Sequence, residues 1–253
     1  MTLPAITDLR DDVSPAEWEA RCDLAAAYRH IARQGWDDLL STHLSARAPG
    51  ESDTMLLNPY GFLFSQITAS SLIKVDFSGN VLSPTPLFVN PAAVTIHGGI
   101  LESRPDVASV MHLHTVDGVA VSTHASGLMP LNQRALYFQD ILAYHDYEGL
   151  ALDDDERVTL ARDLGQKWLL MLRNHGTLSV GRTVGQAYTY LYFLEMACKY
   201  QTRTLSCGVD LVRLSPEVID KVPKQATHIE HMGTMEWPAL RAVLDVAEPD
   251  YAT

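Results

Sequence analysis

Cysteine and long apolar runs are scarce in this sequence. Its 253 residues include three cysteines, none of them in a C-x-x-C pair, so neither a disulfide framework nor a thiolate zinc site is predicted. No run of 18 apolar residues is present, and the acidic N-terminal stretch lacks the basic and apolar regions of a signal peptide. We therefore expect a cytoplasmic protein that does not bind a membrane.

Positive charge is scarce as well. The chain carries 19 Lys and Arg residues against 31 Asp and Glu residues, which gives a formal net charge of -12 at pH 7. Binding to nucleic acid would require a concentrated basic patch, and the sequence contains none, so no nucleic-acid partner is expected. A small anionic substrate is compatible with this balance, because a metal ion or a single Arg can reverse the sign of the local field.

No internal repeat, low-complexity segment or linker divides the chain. Hydrophobic residues make up 47% and charged residues 20% of the sequence, which is enough to bury a substantial core. We therefore predict a single domain over residues 1–253. The C-terminal segment 215–253 is expected to dock on that domain or on a neighbouring subunit.

Helical and strand patterns alternate along the chain, which favours a layered α/β fold. Ser14 and Glu17, with Pro15 at the first helical position, predict a capped helix that ends near Gly35. Short apolar runs broken by Pro and Gly predict strands and hairpins over residues 36–79. The remaining assignments are helix 89–103, strand 107–114, helix 115–126, mixed strand and loop signals over 135–147, a helix from Asp153, a buried strand 168–173, and the longest helix from Thr183 to about Cys207.

Two histidines lie at the end of the predicted strand 107–114. His112 and His114 are two positions apart, so in a strand their imidazoles project from the same face and could chelate one metal ion. Alone, such a pair is more often two polar residues on a half-exposed strand face. A third histidine, His175, follows the buried strand 168–173, where the chain leaves the core.

Three neutral imidazoles leave at least one coordination position for water or substrate, which is typical of a catalytic rather than a structural site. His112, His114 and His175 therefore predict one divalent ion per subunit. Nitrogen ligands suit zinc, manganese, iron or cobalt, and of these we expect zinc, manganese or iron. The sequence does not select among them.

Beyond the histidines, the sequence from about Trp18 to Tyr251 resembles the class II aldolases together with the adducin head domain. The matching segments are STHLSAR (41–47), NPYGFLFSQITASSLIKVD (58–76), GNVL (79–82), NPAAVTIHGGILESRPDVASVMHLHT (90–115), AYHDYEGLAL (143–152), RNHGTLSVG (173–181) and EWPALRAVLD (236–245). In aldolases of this family, the H-x-H pair and the histidine of N-H-G bind a divalent ion, and the matching residues are the three histidines above. The resemblance implies a three-layer α/β/α domain with a mostly antiparallel central sheet, assembled into a homotetramer with active sites between subunits.

The chain departs from the sugar-phosphate aldolases of this family at two motifs. Those aldolases carry S-S-E four residues ahead of a helix histidine that aligns with His97, and this chain has Pro91–Ala93 there, with Ala93 in place of the glutamate. The missing glutamate serves the aldolases as a general acid and base, and the missing serines hold the substrate phosphate. The aldolase G-N before S-x-R is Thr42 and His43 here. The resemblance therefore implies a substrate other than a sugar phosphate.

These observations predict a divalent-metal-dependent lyase that acts on a small, non-phosphorylated hydroxy- or oxo-acid. The reaction would be decarboxylation or retro-aldol cleavage through a metal-stabilised enolate or carbanion. His43 is the candidate acid or base, although it could equally be a hydrogen-bonded loop histidine. Tyr60 and Asn90 are expected to border the substrate pocket with His43. We interpret His97 as a packing or supporting residue.

Two other functions stay open from the sequence. A non-heme iron oxygenase is one, because three neutral ligands with two or more open positions could bind oxygen and a keto acid. An adducin-like structural module without catalysis is the other, since the segment TASSLIKV (68–75) is closer to adducin than to the sugar aldolases. The presence of all three ligand histidines argues against a purely structural role.

Overall fold

The computed structural model describes residues 6–151 and 154–253. In these ranges, seven strands form one mixed sheet with helices on both faces, and the predicted three-layer α/β/α fold with a mostly antiparallel sheet is confirmed. The strands are β1 (His43–Arg47), β2 (Thr54–Leu57), β3 (Ile73–Asp76), β4 (Ser109–Leu113), β5 (Leu142–His145), β6 (Leu169–Leu172) and β7 (Gly176–Gly181). Their order across the sheet is β3-β2-β1-β4-β7-β6-β5, and only the β5 and β6 pair is parallel.

Helices cover both faces of the sheet because side chains of a strand alternate between its two sides. Val110 of β4 joins the core on one face, whereas Met111 and Leu113 join the core on the other. The helices are α1 (Pro15–Gln34), α2 (Pro91–Ala93), α3 (Gly99–Ser103), α4 (Val116–Ser122), α5 (Gln133–Tyr137), α6 (Asp154–Leu164), α7 (Val184–Ser206), α8 (Pro216–Gln225) and α9 (Glu236–Ala247). Helices α1 and α7 pack on the Met111 face, and α3 and α6 pack on the Val110 face.

The predicted first helix forms with its expected ends. The Ser14 hydroxyl accepts a hydrogen bond from the backbone N–H of Glu17, and Gly35 ends the helix in the left-handed conformation with φ of 65°. The reciprocal bond of the predicted capping box is replaced, because the Glu17 carboxylate binds Arg21 and Lys74. Glu17 thereby joins α1 to β3.

The predicted helix 89–103 is continuous but changes its winding. Helix α2 leads into a π-helical stretch, Val94–Gly98, which leads into α3. The Asn90 side chain accepts a hydrogen bond from the backbone N–H of Ala92, and Pro91 occupies the first helical position. The π-helical stretch carries His97 into the interior, and such stretches are frequent at functional sites.

Three sequence assignments differ from the structure. The short helix α5, which precedes β5, was not predicted, because the pattern over 135–147 mixes strand and loop features. The helix expected over 115–126 ends at Ser122. Strand β7, which follows His175 directly, was not predicted. The helix expected from Asp153 begins, within the described residues, at Asp154, and Asp153 itself lies outside them.

The C-terminal segment contacts α1. The indole N–H of Trp237 in α9 donates a hydrogen bond to Asp23, and Tyr251 is fully buried, with its hydroxyl bonded to Asp245. On these contacts, we propose that residues 1–253 form one domain with segment 215–253 docked on α1. None of the helices in the described residues has the length and apolar character needed to cross a bilayer.

Candidate metal centre

The structure brings together the three histidines that were predicted as ligands. His112 lies in β4, His114 comes just after its end, and His175 lies in the turn between β6 and β7. One ring nitrogen from each lies within 4.8 Å of the others, and the Nε2 atoms of His112 and His114 are 2.8 Å apart. The ring centroids are 4.6 to 4.7 Å apart in every pair. A histidine cluster that could hold a divalent ion is therefore present.

Strand β7 determines this convergence. It pairs with β4 on one side, with Thr177 opposite Leu113, and with β6 on the other. The turn between β6 and β7 is tight, and Asn174 adopts a positive φ of 58° there, which a short polar side chain tolerates. A Cβ atom at Gly176 would lie 2.2 Å from the carbonyl oxygen of Leu113. Only glycine at position 176 lets the chain pass this close to β4 beside His175.

The second ring nitrogens of two histidines have hydrogen-bond acceptors. Nδ1 of His112 donates to the carbonyl oxygen of Thr177 at 3.0 Å, and Nδ1 of His114 donates to the carboxylate of Asp38 at 3.2 Å. An acceptor at Nδ1 fixes the tautomer in which Nε2 carries a lone pair. Both Nε2 atoms are thus prepared to bind a cation.

The electrostatics of the cluster also fit a cation. Burial, reinforced by the neighbouring histidines, lowers the pKa of His112 well below its ordinary value. Burial, followed by His114 and His145, lowers the pKa of His175 to about 4. Both imidazoles are therefore neutral near pH 7, which is the protonation state that a metal ligand requires.

A cavity of about 700 Å³ opens beside the three histidines. His43, Tyr60 and Asn90, which were predicted to border the substrate pocket, all lie in its wall. Apolar side chains and a second tyrosine, Tyr147, line it as well. Among the described residues that line the cavity, none is Lys or Arg.

His43 is the first residue of β1 and is buried, so it lies in a strand and not in a loop, although the hydrogen bond of that alternative is present. It lies opposite His112 in the sheet register, with the two ring centroids 5.2 Å apart. Its Nδ1 is hydrogen bonded to Nε2 of His97 at 2.7 Å, and Nδ1 of His97 is bonded to the Ser45 hydroxyl at 2.6 Å. Burial lowers the pKa of both imidazoles, that of His97 to about 3. A buried chain of hydrogen bonds thus leads from Ser45 to the cavity wall.

Tyr60 and Asn90 are built into the cavity wall in different ways. The Tyr60 ring is partly exposed and packs against Phe88, with centroids 5.6 Å apart. The Asn90 side-chain oxygen caps α2 through Ala92. Asn90 therefore has a structural role in addition to its place at the cavity.

One buried carboxyl group near the ligand-bearing segments, that of Glu195, was not predicted from the sequence. Glu195 lies in α7 and is 2% exposed, and its carboxylate accepts hydrogen bonds from the hydroxyls of Thr115 and Thr177. Burial raises its pKa to about 7. The available signal was a single acidic residue within the apolar stretch YLYFLEMAC of the longest helix.

Comparisons with known proteins agree with this geometry. The family described as Class II Aldolase and Adducin N-terminal domain matches residues 22–202. A Caulobacter vibrioides protein that carries a provisional class 2 aldolase name is 52% identical over 252 residues, which cover 99% of this chain and 98% of that protein. Mouse alpha-adducin is 41% identical over 221 residues, 83% of this chain but 30% of the adducin.

Solved structures of aldolase II proteins are also similar to this chain. An aldolase II superfamily protein from Pseudomonas syringae superposes with a TM-score of 0.93 at 45% identity, over 97% of this chain and 99% of that one. The L-fuculose 1-phosphate aldolase from Glaciozyma antarctica superposes with a TM-score of 0.82 at 25% identity, over 99% and 96% of the two chains. The likeness of fold therefore extends over nearly the whole chain.

Proposed function

Because the chain belongs to the class II aldolase and adducin family, we propose that it is a divalent-metal-dependent lyase. His112, His114 and His175 hold the ion, which is zinc, manganese or iron. The observation that carries this proposal is the convergence of three imidazoles at the cavity wall, with ring nitrogens within 4.8 Å of one another. An ion bound there supplies a Lewis acid that stabilises the negative charge developing as a carbon–carbon bond breaks.

The substrate is a small hydroxy- or oxo-acid without a phosphate group. A phosphate dianion is usually held by Arg, Lys or a cluster of donors, and the described cavity wall offers no Lys or Arg. Ala92 lines the cavity where the aldolases carry a serine. Tyr60 and Asn90 contact the part of the acid that does not bind the ion. These contacts do not select a reaction, and both decarboxylation and retro-aldol cleavage are compatible with them.

His43 gives or takes the proton of the reaction. It lies in the cavity wall, and its Nδ1 is bonded to His97, so Nε2 is the ring nitrogen left for the substrate. Burial keeps the imidazole neutral near pH 7, and a neutral imidazole can accept a proton. His43 thereby replaces the aldolase glutamate, whose position is occupied by Ala93.

The two other functions have weaker support. An adducin-like structural module has the relationship to alpha-adducin in its favour, but such a module needs neither converging imidazoles nor a cavity beside them. An iron-dependent oxygenase would use the same three ligands. Oxygen uptake and the choice of metal distinguish it from a lyase.

The test begins with metal content. Elemental analysis of the purified protein identifies the resident ion, and the metal-free protein is then loaded separately with zinc, manganese and iron(II). Each form is screened against hydroxylated aromatic and aliphatic acids for release of carbon dioxide or of a carbonyl product. We expect release without oxygen uptake, and the His175→Ala variant should lose both metal and activity. Exposed His124→Ala is the matched control and should retain both.

A lyase is contradicted if fully loaded protein releases neither product from any acid in the screen. Oxygen uptake that depends on iron and a keto acid would instead establish the oxygenase. We also propose a homotetramer, since related aldolases are oligomeric; light scattering should then give four times the mass of the chain.

A further inference from the structure

Glu195 is a buried acidic group without a positively charged partner in the described part of the chain. Its carboxylate oxygens accept hydrogen bonds from the hydroxyls of Thr115 and Thr177. Burial raises the pKa of Glu195, and the charge of Asp117, which is itself acidic, raises it further. By contrast, the buried Glu17 forms ion pairs with Arg21 and Lys74.

The ionised form of a carboxyl group in such a place is costly unless a cation is nearby. Buried carboxylates in proteins are normally paired with a basic residue or with a metal ion. Two hydroxyl donors compensate only part of the lost hydration, and burial accordingly raises the pKa of Glu195 to about 7. A glutamine could accept and donate the same hydrogen bonds without any charge. Hydrogen bonding to Thr115 and Thr177 alone therefore does not explain why an acidic residue occupies this position.

Both hydrogen-bond partners of Glu195 connect it directly to the histidine cluster. Thr115 is the next residue after His114, and it also caps α4 by accepting from the N–H of Gly118. Thr177 lies two residues after His175, and its carbonyl oxygen accepts the Nδ1 proton of His112. Glu195 thus holds the ends of the two chain segments that carry all three ligands.

The backbone of α4 approaches Glu195 closely. A Cβ atom at Gly118 would lie 3.0 Å from a carboxylate oxygen of Glu195 and 2.7 Å from the Thr115 hydroxyl. Thr177 is fully buried in β7. The carboxylate and the two hydroxyls are therefore closely packed against α4.

We propose that Glu195 is a positioning residue of the metal centre, bracing Thr115 and Thr177 and supplying the negative charge that offsets a divalent cation on the three histidines. This inference rests on the proposed metal-binding role of His112, His114 and His175. A metal-ligating histidine usually has its outer nitrogen bonded to a carboxylate or a carbonyl group. Here Thr177 contacts both groups, because its carbonyl oxygen accepts from His112 and its hydroxyl donates to the carboxylate of Glu195.

The test is Glu195→Gln with zinc alone as the probe. The amide can accept from one threonine and donate to the other, so the variant removes the charge and retains the shape. Zinc affinity, measured by competition with a chromophoric chelator, should fall about 10- to 100-fold. The thermal midpoint of the metal-free variant should stay the same or rise, since a buried ionisable group has been removed. A purely bracing role predicts unchanged zinc affinity, because the amide keeps both hydrogen bonds to the threonines.

Glu17→Gln is the matched control. It also removes a buried carboxylate, but one in ion pairs with Arg21 and Lys74, so it should lower the thermal midpoint and leave zinc affinity unchanged. If Glu195→Gln does not fold, Thr177→Val provides the second variant. It removes the hydroxyl link while keeping the carbonyl that accepts from His112, and it should weaken zinc binding in the same direction.

The proposal is overturned if Glu195→Gln binds zinc as tightly as the original chain, or if both Gln variants weaken zinc equally. Lyase activity plays no part in this measurement. If zinc affinity depends on Glu195 but the protein cleaves no acid, the proposed reaction is contradicted and the role of Glu195 stands. If Glu195→Gln has normal zinc affinity and full lyase activity, the role of Glu195 is contradicted and the proposed reaction stands.

Discussion

His97 shows how one buried residue can control another at the cavity. Both of its ring nitrogens are hydrogen bonded, one to His43 and one to Ser45. Rotation of the ring would break these buried bonds, each worth about 1 kcal/mol. The orientation of the His43 ring, and hence of its Nε2, therefore depends on a residue that does not line the cavity.

We expect His97→Leu to lower kcat about 100-fold, the lower range for loss of acid–base catalysis, on the acid identified by the screen. KM and zinc content should stay the same, because both ring nitrogens of His97 are bonded to His43 and Ser45 and not to a ligand histidine. His97→Gln should recover part of kcat, since its amide can bond to His43. Steady-state kinetics of the zinc-loaded variants measure both effects.

His30→Leu is the control for loss of a buried histidine. His30 bonds to the carbonyl oxygen of Leu240 in α9, so its loss should affect stability and leave kcat unchanged. Full kcat in His97→Leu would contradict the role given to His97.

The sequence predicts the metal ligands better than it predicts the residues that hold those ligands in place. His112 and His114 are recognisable from their spacing, and His175 from its place after a buried strand. Asp38, Thr177 and Glu195 carry no such signal, because their contacts depend on the sheet register and on the packing of α7. Residues that meet only in the folded protein leave little pattern in one sequence.

At the scale of elements, β7 has the largest influence on the site. It pairs with both β4 and β6 and so joins the two segments that carry the ligand histidines. Gly176 begins the strand where the backbone passes closest to Leu113. The separation of β4 and β7 at this point determines the separation of His175 from His112.

Gly176→Ala should therefore disturb both stability and metal binding. The added methyl group would lie 2.2 Å from the Leu113 carbonyl oxygen, and such overpacking costs about 3 kcal/mol. Urea unfolding of the metal-free protein and zinc competition measure the two effects. In Gly50→Ala, where φ is 83° and no atom lies within 4 Å, backbone strain costs roughly 1–2 kcal/mol and zinc affinity should not change. Equal zinc affinities in the two variants would refute this account of β7.

Elements with strong end signals could be predicted, and short ones could not. Helices α1 and α7 have capping residues and several turns of apolar spacing, and both form as expected. Helix α5 has little more than one turn, so periodicity cannot reveal it. Strand β7 reads GTLSVG, which contains two glycines and only two large apolar residues, and its strand conformation comes from its neighbours in the sheet.

At the scale of the whole molecule, buried neutral histidines make the metal-free protein sensitive to acid. Burial lowers the pKa of His97 to about 3 and that of His30 below its ordinary value, whereas both titrate near pH 6.5 in an unfolded chain. Below that pH, the unfolded chain binds protons that the folded chain does not. Each such histidine then removes up to about 1.4 kcal/mol of stability per pH unit.

The free energy of unfolding should therefore be greatest above about pH 6.5 and should fall as the pH drops toward 4. The pKa values of the ligand histidines His112 and His175 are lowered as well, so both residues act in the same direction. Glu195 acts in the opposite sense, because its raised pKa makes the folded state lose stability as pH rises from about 4.5 to 7. One such group does not offset several histidines. Urea unfolding in the presence of a chelator at pH 7.5, 6.5 and 5.5 measures the net slope.

His97→Gln should make this decline shallower, since one of the contributing groups is removed. A slope that is flat between pH 7.5 and 5.5, or unaffected by that substitution, would show that burial of these imidazoles does not govern acid stability.

The overall architecture could be predicted because its evidence is spread over nearly the whole chain. Alternating patterns and the resemblance from Trp18 to Tyr251 both indicate a layered α/β domain, and no single misassigned element changes that outcome. The order of strands across the sheet could not be derived in this way. Strands distant in the sequence, such as β1 and β4, become neighbours only through tertiary packing.

The ligand histidines come from β4 and from the turn after β6, and they meet only once β7 has paired with both strands. A cation on them would tether distant parts of the chain, and an unfolded chain offers no equivalent cage. By mass action, an ion at a thousand times its dissociation constant adds about 4 kcal/mol to the folded state. Metal supply would then govern how long each molecule survives heat and proteolysis, and so its abundance as well as its chemistry.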